Sequence, residues 1–246
     1  MDKRPSKKSA WIRARKAEEN YARRLRKVAR HIGDIVSGFP VDDPAAWPEI
    51  EGALARYAGT ISGWAQSAAR TVVTEVAARD KAAWLSISQE MGKALRREIA
   101  DAPTGAVMRK ALEEQTKLIT SLPTEAAERV RKLTLEGITT EGRRASEIAE
   151  EIKKSGEVSK ARANTIARTE VSRTATELTK ARAQFVGSTH FIWRTAGDSD
   201  VRPSHKALNG QSFRWDQPPE CDPGYHALPG GIWNCRCWAE PILPDD

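Results

Sequence analysis

Cys235 and Cys237 flank a single arginine, and Cys221, His226 and His205 precede them within one short stretch of chain. Thiolates and imidazoles are the donors zinc prefers, and a structural zinc site closes with four of them in a tetrahedron. Cys235 and Cys237 would supply two ligands, and Cys221 with either His205 or His226 would complete the set. The Cys-x-Cys spacing is tighter than the usual two-residue spacing and strains the chelate. A disulfide is the competing explanation, but cysteines next but one to each other pair poorly. There are three cysteines, all between 221 and 237, so they form no conventional secreted disulfide framework. Taken singly, each cysteine reads as a small buried hydrophobe and each histidine as a hydrogen-bonded side chain. Their concentration in one segment points to a structural zinc.

Other chemistry fails on spacing. A zinc deaminase needs His-x-Glu followed by Pro-Cys-x-x-Cys, whereas His205 is followed by Lys206 and Ala207. The sequence holds no Walker A lysine loop, no His-Glu-x-x-His helix and no Gly-x-Ser-x-Gly elbow. Asp198, Asp200 and His205 can be drawn as a nuclease-like cluster, yet Asp and His in a polar turn more often cap loops. No residue is assigned a catalytic role, and the expectation is a protein that is not an enzyme.

The elements that must position the Cys/His segment are mostly helical. Trp11, Ala14, Tyr21, Leu25, Val28, Ile32 and Ile35 recur at helical spacing, which predicts one amphipathic helix over 10–36, with frayed residues before about Ser9. Asp43 before Pro44 reads as an N-cap with proline at the first helical position, although Pro48 complicates the start. A longer helical stretch is predicted over 60–99. Pro103 and Pro123 punctuate the chain, so Thr124 is expected to cap a new helix running to Gly137. A short helix over 146–154 breaks at Ser155 and Gly156, and Ser159 opens another that Gly187 ends.

After Gly187 the composition changes. Residues 188–246 hold seven of the thirteen prolines, three of the four histidines and every cysteine, which marks a separate structural style. Strands are predicted over 190–195, 211–215 and 237–243, joined by long loops that need a staple. The fold class is mainly α: an elongated helical N-terminal part, then a small loop-rich α+β module with short antiparallel strands. Three parts follow, a basic helical region over 1–102, a helical bundle over 103–187 and a loop-rich Cys/His module over 188–246.

Charge is distributed unevenly. Residues 1–30 carry twelve Lys or Arg against three acids, about +9, while 191–246 carry five against eight. Arg13, Arg15, Lys16, Arg23, Arg24 and Lys27 are the candidates for nucleic-acid contact, because a basic arm neutralises phosphates and releases counterions. A solvated helix face explains the same run equally well. No apolar run approaches the length of a membrane span and no secretory h-region follows the N-terminal charges, so a soluble chain that begins in the cytosol is expected.

Ile166-Ala-Arg-Thr-Glu170, Trp193-Arg-Thr-Ala-Gly-Asp198, Val201-Arg-Pro-Ser-His205, Leu208-Asn-Gly210, Phe213-Arg-Trp215, Pro229-Gly and Asn234-Cys-Arg-Cys237 appear in that order. Over about residues 120–243 the chain resembles the phage Mu F-like head morphogenesis family of minor head proteins. The resemblance implies a minor capsid component, present in few copies per head. Its implied partners are the portal protein and major capsid or scaffold proteins, with the head interior or portal vertex as its place in the virion and the host cytoplasm during assembly. The helix bearing Arg168, Thr169, Glu170 and Arg173 leads into the module, so an internal clamp is expected. Arg168 would bond an acid or carbonyl of the loops, and Glu170 would bond Arg202 or Arg236.

Three functional readings remain. The first is an assembly protein whose zinc module stabilises a docking surface and whose basic arm touches packaged DNA. The alternative is a phage-delivered metal-dependent nuclease or modifying enzyme, although no catalytic domain is expected beyond the module. A third reading is a host DNA-binding protein using the N-terminal helix.

Overall fold

The computed structural model describes residues 8–87, 101–139 and 144–243, with side chains over 15–86, 101–137 and 144–243. Helix α1 spans Lys8–Ser37, a 3-10 turn Pro44–Ala46, α2 Trp47–Thr60, α3 Ser62–Ile87, α4 Gly105–Thr139, α5 Ala145–Lys153 and α6 Ser155–Phe185. The side chains of Trp11, Arg13 and Ala14, and the predicted helix beyond Ile87, lie outside the described residues. The chain divides into two compact units, Asn20–Arg70 with Glu113–Ala167, and Met1–Glu19 with Thr71–Leu112 and Arg168–Asp246. Four of the long helices contribute a segment to each. Among the described residues no helix is long and apolar enough to cross a membrane.

In the first of these units the predicted stripe of α1 is inside: Tyr21, Leu25, Val28 and Ile32 are buried. Asp43 does cap, with its carboxylate accepting from the Ala45 N–H at 2.9 Å, but it caps the 3-10 turn, and the regular helix begins at Trp47. Pro123 does not end a helix. It lies inside α4, against the expectation of a break and a fresh N-cap at Thr124. Proline in a helix interior costs about 3 kcal/mol, but Ile119, Leu122, Ala126, Val130 and Leu133 are buried along one continuous stripe across it. Several buried aliphatic side chains at roughly 1.5–3 kcal/mol each outweigh that cost.

Gly156 likewise is not a breaker. It sits in the first turn of α6, where a Cβ would come within 2.9 Å of the Gly33 Cα, so its missing side chain permits a close approach to α1. The same unit is tied by Arg26 donating to Asn164 at 2.9 Å and by Arg129 pairing with Glu151 at 2.8 Å.

In the other unit α6 leads into the module. Strand β1 (His190–Arg194) is central in a three-stranded antiparallel sheet ordered β2-β1-β5, with β2 at Ser212–Arg214 and β5 at Trp238–Ile242. All three lie within the predicted strands. The pairing sets Phe191 opposite Phe213 and Trp193 opposite Ala239. Period-two alternation turns Phe191 and Trp193 to the buried face. A short helix, α7 (Pro203–Leu208), and a hairpin of β3 (Glu220–Asp222) and β4 (Tyr225–His226) complete the module. Neither was legible as an element in the sequence. The core here joins Trp84, Ala183, Phe191, Trp193 and Trp215 to all three cysteines.

Candidate metal centre

Proline at the first helical position opens α7, whose single exposed turn carries His205 inward to 2% exposure. Its ring meets Trp193 edge-on, with centroids 5.4 Å apart. Cys235 and Cys237 are buried, while Arg236 between them reaches Asp198 at 2.8 Å and Asp200 at 3.1 Å. Residues two apart thus share one side and the intervening arginine takes the other, which makes a Cys-x-Cys pair workable despite its tight spacing.

The Nδ1 of His205 lies 3.4 Å from the sulfur of Cys235 and 3.4 Å from that of Cys237. The three donor atoms fall within 4.8 Å of one another, an arrangement that could hold a metal ion. The N–H of Gly230 donates to the Cys235 sulfur at 3.3 Å. Gly230 has φ +81°, and a Cβ there would meet Ser172 at 3.1 Å and the Cys237 carbonyl at 3.2 Å. Glycine is therefore required at that position twice over.

On the far edge of the imidazole, Nε2 is buried with no hydrogen-bond partner among the described residues, and Asp222 lies 3.8 Å away. Asp222 also accepts from the Ser204 hydroxyl at 2.8 Å. The two thiols cannot both ionise in this enclosure. A hydrogen bond from Cys237, and then His205, hold Cys235 down to about 4, whereas Cys237 is pushed far up by its bond to Cys235 and by burial. A dication is what would let both sulfurs be thiolates together.

The other predicted ligands are elsewhere. Cys221 is buried, but its thiol points to the Tyr225 carbonyl at 3.4 Å and stands outside the donor group, its pKa raised by burial. His226 is exposed with its ring 3.2 Å from the Pro218 carbonyl. Asp198 and Asp200 are both engaged by Arg236, so they do not assemble with His205 into a nuclease-like cluster.

The helix-to-module clamp exists with other partners than those expected. Arg168 bonds Glu18 at 3.1 Å, not the loops. Glu170 pairs with Arg173 at 3.1 Å, not with Arg202 or Arg236. Arg202 instead donates to the Trp233 carbonyl at 3.0 Å and stands 3.6 Å from Asp222. The fastening is done by Thr169, accepting from the Asn234 N–H at 3.1 Å, by Arg173, donating to the Gly231 carbonyl at 3.1 Å, and by Thr176, donating to the Pro229 carbonyl at 2.7 Å. The sequence places Arg173 on the predicted clamp helix without assigning it a partner, and Thr176 carries no sequence signal beyond sharing a helix face with Thr169.

These contacts join the Arg-Thr-Glu helix to the Pro-Gly and Asn-Cys-Arg-Cys segments. Residues 128–240 match the Phage Mu protein F like protein family. The Mu F-like segment thus takes in the lower part of α4, all of α5 and α6, and the module through Glu240. An uncharacterized protein of Haemophilus influenzae is 32% identical over 130 residues, which cover 53% of this chain and 28% of that protein. The match therefore spans about a quarter of the relative's length. No solved structure matches the chain. On α1, upstream of the Mu F-like segment, Arg15, Lys16, Arg23, Arg24 and Lys27 are all exposed.

Proposed function

We propose that this chain is a head morphogenesis protein of a tailed bacteriophage, a minor virion component acting in procapsid assembly near the portal. The observation that carries this reading is the Mu F-like match over 128–240. In support, the motifs of that segment meet in space around one buried Cys/His centre. The role is structural: the module is a docking surface for portal, capsid or scaffold proteins.

The metal is zinc, because two thiolates and an imidazole are the donors it favours and a buried Cys2His set suits neither calcium nor magnesium. Cys235, Cys237 and the Nδ1 of His205 hold it. With Nδ1 on the metal, the His205 proton sits on Nε2 and faces Asp222, which orients the ring. When bound, the ion joins α7 to the approach of β5 and staples a segment with little regular structure.

Exposed basic residues of α1 contact packaged DNA. Such binding would weaken steeply with salt, with a shallower slope after reversal of Arg23, Arg24 and Lys27.

The deciding experiment is deletion of the gene from the phage, followed by counts of heads, head DNA content and infectivity. Loss of filled heads is the expected result, and unchanged heads and titre would refute the assembly role.

A further inference from the structure

We infer that the metal held by His205, Cys235 and Cys237 keeps its fourth coordination position open to a solvent-facing cleft, where a water or small anion binds exchangeably beside Arg202 and Arg236. The inference rests on the metal reading above and departs from the closed four-ligand site that the sequence suggests.

Zinc takes four ligands, and the donor group among the described residues supplies three. The remaining candidates are each turned away or otherwise engaged. Cys221 is directed to the Tyr225 carbonyl, and His226 is exposed beside Pro218. Asp222 faces the Nε2 edge of His205, opposite the nitrogen that meets the sulfurs. Asp198 and Asp200 are bonded to Arg236.

A small cleft, open on one side, is lined by the three metal-binding residues together with Asp200, Arg202 and Arg236. It has room for a water or a small anion and not for an extended organic molecule. Structural zinc sites are closed by protein on every side, whereas a site with three protein ligands and a cleft leaves a position for an outside donor. Two thiolates neutralise the dication, so any charge that selects the fourth ligand comes from the walls. There Arg202 and Arg236 stand with Asp200, Arg236 bonding Asp198 and Asp200 and Arg202 lying 3.6 Å from Asp222. Two arginines against three aspartates leave no net positive charge, so the walls do not select an anion, and the fourth position takes a water that an added anion can displace.

The test uses the full chain loaded with cobalt(II) in place of zinc, because tetrahedral cobalt reports its ligands through visible bands and sulfur charge transfer. One equivalent of cobalt should bind, and thiocyanate should shift the visible bands saturably in the unmodified protein. Cys221→Ala should leave both the charge-transfer intensity and the thiocyanate response unchanged. Bands that ignore thiocyanate would show a closed site, and a loss of about a third of the charge-transfer intensity in Cys221→Ala would show one closed by Cys221; either overturns the inference while leaving the metal in place. Failure to take up cobalt or zinc at all would remove the metal reading, and this one with it.

Discussion

The backbone N–H of Asn234 donates to the Thr169 hydroxyl across 3.1 Å, joining a residue of α6 to the turn that delivers Cys235. Asn234 holds φ +56°, the left-handed region that asparagine tolerates better than most residues. Thr169→Val keeps the shape and removes the acceptor, so it should cost about 1–3 kcal/mol in denaturant unfolding. At Asn234 the order of stability should be Asn and Gly above Val, since a β-branched residue resists positive φ. Equal stability of Asn234→Val and Asn234→Gly would show that the turn relaxes.

Metal removal should lower the melting temperature. With free zinc a thousandfold above its Kd, binding stabilises the native state by roughly 4 kcal/mol. Chelation of the wild-type protein should reverse that, and Cys235→Ser or His205→Ala should abolish both the stoichiometric zinc and the effect of the chelator.

The metal-free protein should show a stability optimum in pH. Cys235 titrates at about 4 in the folded chain, against roughly 8.5 in an unfolded one. Between these values the unfolded state binds one more proton, so stability rises with pH and is lost as pH falls toward 4. Above roughly 8.5 the sign reverses, because Cys237 is pushed up in the folded protein and keeps a proton that the unfolded chain releases. Cys237→Ala should flatten both limbs, because it removes the bond that holds Cys235 down as well as the raised thiol, and only the smaller descent due to buried Cys221 should remain in denaturant unfolding across the pH range.

Arg182 and Asp80 form a buried pair at 2.7 Å, with Thr179 donating to the second carboxylate oxygen at 2.8 Å. Burial pushes the Asp80 carboxyl up while Arg182 and Thr179 pull it down, so the pair is held by its partners and not by solvent. Asp80→Ala or Arg182→Met alone should destabilise by about 3–5 kcal/mol, since each removes the ionic partner of a buried charge. The double variant should be less damaging than the sum of the two, and simple additivity in a double-mutant cycle would count against coupling.

Gly33 and Gly156 should differ when each becomes alanine. A Cβ on Gly156 meets the Gly33 backbone at 2.9 Å, whereas one on Gly33 finds its nearest atom at an ordinary 3.6 Å. Gly156→Ala should therefore cost about 1–3 kcal/mol, while Gly33→Ala, relieved of a mid-helix glycine, should be neutral or stabilise by up to about 1 kcal/mol. Thermal melts of the two variants decide it.

Local character could be read from residues close together along the chain. Helical spacing of Tyr21, Leu25, Val28 and Ile32, and the alternation around Phe191 and Trp193, are properties of neighbours along the chain and needed no partner to be read. The donor types at Cys235, Cys237 and His205 were equally visible, because ligand chemistry resides in the side chain. Which distant residues share a place depends on long-range packing that no local pattern encodes. Pro123 stays helical because a buried stripe continues across it, and Gly156 serves a close approach to Gly33, neither of which local propensity can express. Cys221 and His226 match the donor types of the cluster but are turned to the Tyr225 and Pro218 carbonyls. The clamp passes from Arg168 and Glu170 to Thr169, Arg173 and Thr176, because the loop backbone, not the acids and bases of the module, is what α6 meets.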